Sequence, residues 1–289
     1  MEQYLVAIAT FAAIYGMIGL GLNLQWGLTG LVNLGQVAFF SLGAYMAALL
    51  TLAGVPFLLA IVASAVAPAV VAALVALITP RLREDYLAIV TLGLAEVIRL
   101  IFLNEKWIAG GPDGLIAIPR FLGGVSPEAG AIFFMIACAA VLVLFFVANL
   151  AIAHFPLGRV LKAIRQDETL TASLGKNVLV FKTEMLAIGA AMAGVAGAFF
   201  ASYMTFISPA MFTAQVSLNV LVAVLIGGQG SAVGVLLGTL AVTIILESTR
   251  FLKDYVSVFG GVELAALRMV VIGIALIVIV MIRYYKVEE

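Results

Sequence analysis

At 289 residues, 65% hydrophobic and only 10% charged, with a mean hydropathy of +1.24, the chain departs far from a soluble composition, in which about a quarter of residues are charged. These values exclude a soluble domain and place the protein in a membrane. The formal net charge is zero, which gives no reason to expect nucleic acid as a partner, and the single cysteine, Cys138, excludes both an internal disulfide and a cysteine metal cluster.

A membrane span needs about 20 apolar residues. Apolar runs fall at 4–24, 28–50, 57–79, 86–103, 130–153 and 183–206, in an interrupted pair at 216–227 and 231–247, and at 267–283. From Met1 to Pro80 there is no Lys or Arg, and Glu2 is the one acid. The first run has no positive segment before it and reads as a retained span, not a secretory signal. The second is punctuated: "WGLTGLVNLGQVAFFSLGAY" sets Gly27, Gly30, Gly35 and Gly43, with Asn33 and Gln36, among apolar residues. Irregular backbone at membrane depth survives only where it is buried in protein or lines a polar cavity. Interrupted segments in both halves of a transporter often face its pathway, and close helix packing accounts for the same glycines in another way.

The run "YLAIVTLGLAEVIRLIFL" carries Glu96 and Arg99, three apart on one helix face and able to neutralise each other. A structural or interface pair is the first expectation, a transport or gating role the second. After the run at 130–153, "HFPLGRVLKAIRQDETLTASLGKNVLVFK" (154–182) holds Arg159, Lys162, Arg165, Lys176 and Lys182. With Arg81, Arg83, Arg283 and Lys286, nine of the fifteen basic residues share one side, which the positive-inside rule makes cytoplasmic. Leu157, Val160, Leu161 and Ile164 fall on one side of a short amphipathic helix, Arg159, Lys162 and Arg165 on the other, and Gly175 supplies a helix end.

Within 183–206, Gly189, Ala193, Gly197 and Ala201 form a small-residue ladder suited to close backbone approach. The stretch "GGQGSAVG" (227–234) then separates two short apolar runs. Counting crossings back from the C-terminus keeps the basic loops on one side only if 216–247 crosses an even number of times. "GGQGSAVG" is therefore either a break at depth or a tight turn at one membrane face. Three crossings before "RLRED" put Met1 outside, and an irregular first-half segment would reverse that.

Catalytic chemistry has little footing. His154 is the one histidine, and Asp85, Asp113, Asp167 and Asp254 all fall in predicted loops. No span holds an isolated carboxylate for a proton relay, Glu184, Glu247 and Arg268 lie near predicted helix ends, and no G-x-x-x-x-G-K-[ST] phosphate loop is present. Neither a metal nor another cofactor is expected.

The segment "GRVLKAIRQDETLTASLGKNV" resembles the cytoplasmic coupling segment of permeases from branched-chain amino-acid ABC importers, specifically the M-type subunit. "NLQWGLTGLVNLGQVAFFSLGAY", "DYLAIVTLGLAEVIRL", "GGPDGLIAIP", "ISPAMFT" and "VLIGGQGSAVGVLLG" are similar to the same family in the same order, so the likeness runs from about residue 20 to 250. It implies one all-α polytopic domain over 1–289, an ABC-importer transmembrane domain with about eight hydrophobic segments, some broken or re-entrant. It further implies a bacterial or archaeal cytoplasmic membrane, a second homologous permease, two cytoplasmic ATPases and an extracytoplasmic solute-binding protein. ATP-driven uptake of branched-chain amino acids is the expected function. Urea or short-amide permeases of the same family are an alternative, and a self-sufficient channel or sodium-coupled carrier is the rival from another class. Pathway candidates are Gly27, Gly30, Asn33, Gly35, Gln36, Gly227, Gly228, Gln229 and Gly230. ATPase-coupling candidates are Gly158, Arg159, Lys162, Arg165, Asp167, Glu168 and Gly175.

Overall fold

The computed structural model describes residues 2–78, 84–121 and 127–255, together with 270, 273 and 274. The predicted span at 267–283 and the basic residues Arg81, Arg83, Arg268, Arg283 and Lys286 lie outside the described residues. Among those described the long elements are all helices: α1 (Glu2–Leu22), extended by one π-helical stretch (Asn23–Leu28), α2 (Gln36–Leu52), α3 (Phe57–Ile78), α4 (Glu84–Asn104), the short α5 (Lys106–Ala109) and α6 (Pro127–His154). They are followed by α7 (Pro156–Gln166), α8 (Glu168–Ser173), α9 (Val178–Met204), α10 (Ala214–Gly227) and α11 (Ala232–Tyr255). Six helical segments are long and apolar enough to cross a membrane, and 36–52 and 232–247 are shorter apolar helices.

The predicted run at 28–50 is corrected by this structure. The first helix runs on to Leu28, residues 30–35 are irregular, and the second begins only at Gln36. Gly30, at φ +79°, takes a backbone conformation that a glycine accepts without strain, and it ends the helical run one residue after Thr29. Hydropathy averages over such a break because Leu31, Val32 and Leu34 are themselves apolar.

Two helices form the centre. In α1 and α9, 67% and 83% of the most apolar stretch is buried, against 17% and 11% in α3 and α6. Small residues let the backbones of the central helices meet. A Cβ on Gly21 would overlap the carbonyl of Gly189, one on Gly43 the backbone of Gly194, and one on Gly197 the carbonyl of Phe40. The ladder on α9 is thus a packing device. These contacts also fix directions: α1 runs against α9, while α2, meeting Gly189 through Gln36 and Ala198 through Ala47, runs with it. Three crossings therefore precede residue 79, which sets the start of α1 opposite the basic 154–182 segment.

On that far side, "GGPDG" turns through three glycines of positive φ, and Leu115 and Ile207 exchange backbone hydrogen bonds of 2.9 and 3.1 Å. This pins the loop after α4 to the loop after α9. Below it, Phe40, Tyr45, Phe102, Phe200 and Phe212 form a buried aromatic cluster with ring centroids 4.1–5.9 Å apart.

Adding one methyl at the α2–α9 seam should be costly, because only backbone faces it. Gly43→Ala is expected to lose about 1–3 kcal/mol, read as a lower melting temperature of the detergent-solubilised chain. Gly93→Ala, where nothing lies within 4 Å, should leave it unchanged or raised.

Candidate functional site

The break after α1 leaves peptide groups without helical partners well inside the bundle. The level is set by α9: Gln25 and Gln36 bond to the carbonyls of Leu186 and Gly189, about 12–17 Å along the helix from Val178 at 1.5 Å per residue. Three amide side chains gather there, of which Asn33 takes up one of the freed peptide groups, the Gly35 N–H, while the Gly30 and Leu31 N–H groups return to Trp26 O and Gln25 O. Gln25 Nε2 donates to Leu186 O at 3.0 Å. Asn33 Nδ2 donates to Gln25 Oε1 at 2.9 Å and to Gln36 Oε1 at 2.8 Å. Gln36 Nε2 donates to Gly189 O at 3.2 Å, and the Gly35 N–H donates to Asn33 Oδ1 at 2.9 Å. Thr91 Oγ1 of α4 accepts from the Gly35 N–H at 3.3 Å, and Ser217 Oγ of α10 accepts from the Val37 N–H at 2.9 Å. Gln25, Asn33 and Gln36 are each 0% exposed, so the network is dry and its amide groups are matched.

The π-helical stretch carries this network toward α7. Asn23 Nδ2 donates to Asn149 Oδ1 of α6 at 3.1 Å, and Asn23 Oδ1 accepts from the Gly230 N–H at 2.8 Å. Gly230 belongs to "GGQGSAVG", which is a tight turn between α10 and α11. Gly228 and Gly230 have φ of +102° and +84°. Gly227 and Gly234 lie so close that a Cβ on either would overlap the other's carbonyl. The stretch is thus a tight turn between two helices rather than a break within one.

A second cluster forms where that turn meets the amphipathic helix α7. On the predicted apolar face Leu161 and Ile164 are buried and Leu157 and Val160 half-buried, Gly158 is buried beside them, and Arg159, Lys162 and Arg165 are exposed. Arg165 Nη1 donates to Gly27 O at 2.6 Å and Nη2 to Gln229 Oε1 at 2.8 Å. One guanidinium therefore joins α7, the end of the α1 π-helix and the α10–α11 turn. A cleft of about 550 Å³ opens beside it, lined by Gly27, Leu28, Lys162, Arg165, Gln166, Gln229, Gly230 and Ser231. Two cations and no acidic residue line it.

The helix end expected at Gly175 is corrected in part. Asp167 adopts an extended backbone (φ −155°, ψ 107°) and its carboxylate accepts the Leu170 N–H at 2.9 Å, so the segment divides there into α7 and α8. An aspartate caps a new helix more readily than it continues one. Gly175, at φ +79°, lies just beyond the end of α8. Glu168 pairs with Lys182 and ties α8 to the base of α9.

Gly27, Gly227, Gly228, Gln229 and Gly230 thus gather around Arg165, whereas Gly30, Asn33, Gly35 and Gln36 lie deeper in the bundle. Glu96 and Arg99 stand apart on α4. Sequence reasoning passed over Asn23, Gln25, Thr91, Asn149 and Ser217. The signal that could have found Asn149 is its isolation within the apolar run "LFFVANLAIA", where a lone amide requires a partner.

A family model described as "Branched-chain amino acid transport system / permease component" matches residues 4–280. The high-affinity branched-chain amino acid transport system permease protein LivM of Escherichia coli strain K12 is 36% identical over 275 residues, covering 86% of this chain and 64% of its own length. LivM of Salmonella typhimurium strain LT2 shows the same values. A probable branched-chain amino acid transport permease protein LivM of Methanocaldococcus jannaschii is 28% identical, covering 96% of this chain and 90% of its own. The chain thus spans just under two thirds of the length of the two bacterial relatives. No solved structure matches it.

Asn33→Leu should leave the side-chain oxygens of Gln25 and Gln36 without the bonds Asn33 gives them, while the Gly35 N–H keeps Thr91 Oγ1 at 3.3 Å. At about 1–3 kcal/mol for each buried group left unpaired, a large fall in melting temperature is expected, with Asn33→Gln intermediate.

Proposed function

This chain belongs to the family of branched-chain amino acid transport permeases, and from that premise we propose that it is the membrane-embedded permease subunit of an ATP-driven importer of branched-chain amino acids. It is not itself the ATPase. Two cytoplasmic ABC ATPases, a second homologous permease and an extracytoplasmic solute-binding protein complete the transporter, and an apolar amino acid passes between the permeases. The multi-pass helices and the basic 154–182 segment support residence in a cytoplasmic membrane.

The observation that carries this reading is the Arg165 clamp. α7 and α8 form the docking surface for an ATPase, with Arg159, Lys162, Asp167 and Glu168 presented along it between Gly158 and Gly175. A push on α7 reaches the bundle through Arg165, whose two bonds end on the π-helix of α1 and on the α10–α11 turn. The π-helix leads through Gln25 to Asn33 and Gln36. Gly30, Gly35 and the turn at Gly227–Gly230 border the route. Neutral amides in place of carboxylates fit a cycle driven by nucleotide hydrolysis, since no residue there could carry a proton.

The test is reconstitution with the ATPases, the second permease and each candidate binding protein. ATP-dependent uptake of leucine, isoleucine or valine is expected. Uptake of urea or a short amide instead would change the substrate, and uptake by this chain alone in ATP-free vesicles would sink the reading. Arg165→Ala removes two charge-assisted bonds of about 1.5–3 kcal/mol each, and uptake should fall by at least about tenfold while the ATPases still copurify. Arg165→Glu with Asp167→Lys should weaken the ATPase association itself.

A further inference from the structure

The outward faces of the helices differ in one respect. α3 turns Leu59, Val62, Val66 and Val70 outward, and α6 turns Ile136, Val143 and Leu144. Each is an unbroken apolar surface, with Phe133 also exposed on α6, suited to lipid tails. On α4 the exposed face runs through Tyr86, Ile89, Gly93, Glu96, Val97, Leu100 and Ile101. Here Arg99 Nε donates to Glu96 Oε2 at 2.9 Å and Nη2 to Oε1 at 2.5 Å, with the Glu96 side chain 51% and the Arg99 side chain 24% exposed.

Depth makes this pair informative. α4 is about 31 Å long at 1.5 Å per residue, and Glu96 lies about 18 Å from one end and about 12 Å from the other, well within a hydrocarbon layer about 30 Å thick. Arg99 does not extend toward the nearer surface; both of its bonds turn it back to Glu96. The fork uses Nε and Nη2, and among the described residues no hydrogen bond reaches Nη1. Lipid tails offer no acceptor, so a half-exposed carboxylate and an open guanidinium edge at this depth require protein against them. One turn before Glu96, Gly93 leaves a gap: a Cβ there would meet nothing within 4 Å. A charge pair and an open notch on one face are what a second transmembrane helix can fill.

We propose that this face of α4 is the seam against the second permease chain. A helix of that partner seats a side chain over Gly93 and brings a neutral hydrogen-bonding oxygen to Arg99 Nη1. The proposal rests on the reading above, in which two permeases pair. The outward faces of α3 and α6 contact lipid.

The assembled transporter tests this directly, with a photo-crosslinking residue placed at Val97 or Ile101 and, for comparison, at Val66 of α3 and Val143 of α6. Adducts carrying the mass of the second permease are expected at least about tenfold more from the two α4 positions than from the other two. Adducts from α3 or α6 alone would show that the pair exists but meets elsewhere, overturning the seam and leaving the function intact. Adducts only with lipid, or with a second copy of this chain, overturn it as well. Failure of any permease to copurify would remove the functional reading and the seam together. A companion variant, Glu96→Leu with Arg99→Leu, replaces the pair with apolar side chains. It should keep the isolated chain folded, with an unchanged or higher melting temperature, and reduce recovery of the second permease about tenfold; unchanged recovery overturns the proposal. Finally, Val97→Cys in a Cys138→Ser background should resist a membrane-impermeant maleimide in the complex. Ready labelling would make the face water-lined and end the assignment.

Discussion

Each peptide group that leaves a helix inside a bilayer must find a partner within the protein, because lipid offers none. In this fold the requirement concentrates at residues 30–35, between a helix that runs too far and a helix that begins too late. Asn33 meets one part of it, while the Gly30 and Leu31 N–H groups bond back to the carbonyls of Trp26 and Gln25. The Asn33 Oδ1 accepts the Gly35 N–H, and its amide hydrogens hold the side-chain oxygens of Gln25 and Gln36. Those two glutamines in turn cap carbonyls on α9, so the central helix is fixed in register by the same groups that permit the break.

Close packing at glycine gives this arrangement its geometry. Gly21 against Gly189 and Gly43 against Gly194 bring α1 and α2 within backbone contact of α9, which puts the glutamine amides in reach of main-chain oxygens. Longer side chains at those positions would separate the helices and strand the amides. Packing and hydrogen bonding therefore depend on each other here, and neither could be built first. The π-helical stretch belongs to the same solution. Its Asn23 turns to both Asn149 and Gly230, extending the polar chain to the turn beside α7.

The sequence made much of this legible, and unevenly. Composition and run length located the helices well, because burial in lipid selects for apolar residues regardless of fold. The amphipathic α7 was readable from Leu157 to Arg165, since a helix half in water repeats its pattern every 3.6 residues. The break was legible as an anomaly, through Gly30, Asn33, Gly35 and Gln36, while its position was misjudged because Leu31, Val32 and Leu34 disguise it. What joins distant residues was out of reach: Arg165 lies 138 positions from Gly27 and 64 from Gln229, and nothing local to either announces the contact. The choice between break and turn at "GGQGSAVG" likewise depended on Gly227 meeting Gly234, a tertiary fact.

The bonding pattern also constrains how motion at α7 can spread. Sliding α9 past α1 and α2 would break the bonds of Gln25 to Leu186 and of Gln36 to Gly189, leaving buried polar groups unpaired at about 1–3 kcal/mol each. Moving α1, its π-helical end, α2 and α9 as one body breaks none of them. The α10–α11 hairpin is held to the π-helix by the Gly230 N–H on Asn23, to α7 by Gln229 on Arg165, and to the start of α2 by the Val37 N–H on Ser217. The Gln229 bond lies in the lining of the open cleft, where water can replace a lost partner at little cost, whereas Asn23 and Ser217 are buried. A shift of α7 therefore meets least resistance at the Arg165–Gln229 bond, while any tilt of the hairpin against the α1–α2–α9 core must carry with it or break the buried bonds at Asn23 and Ser217.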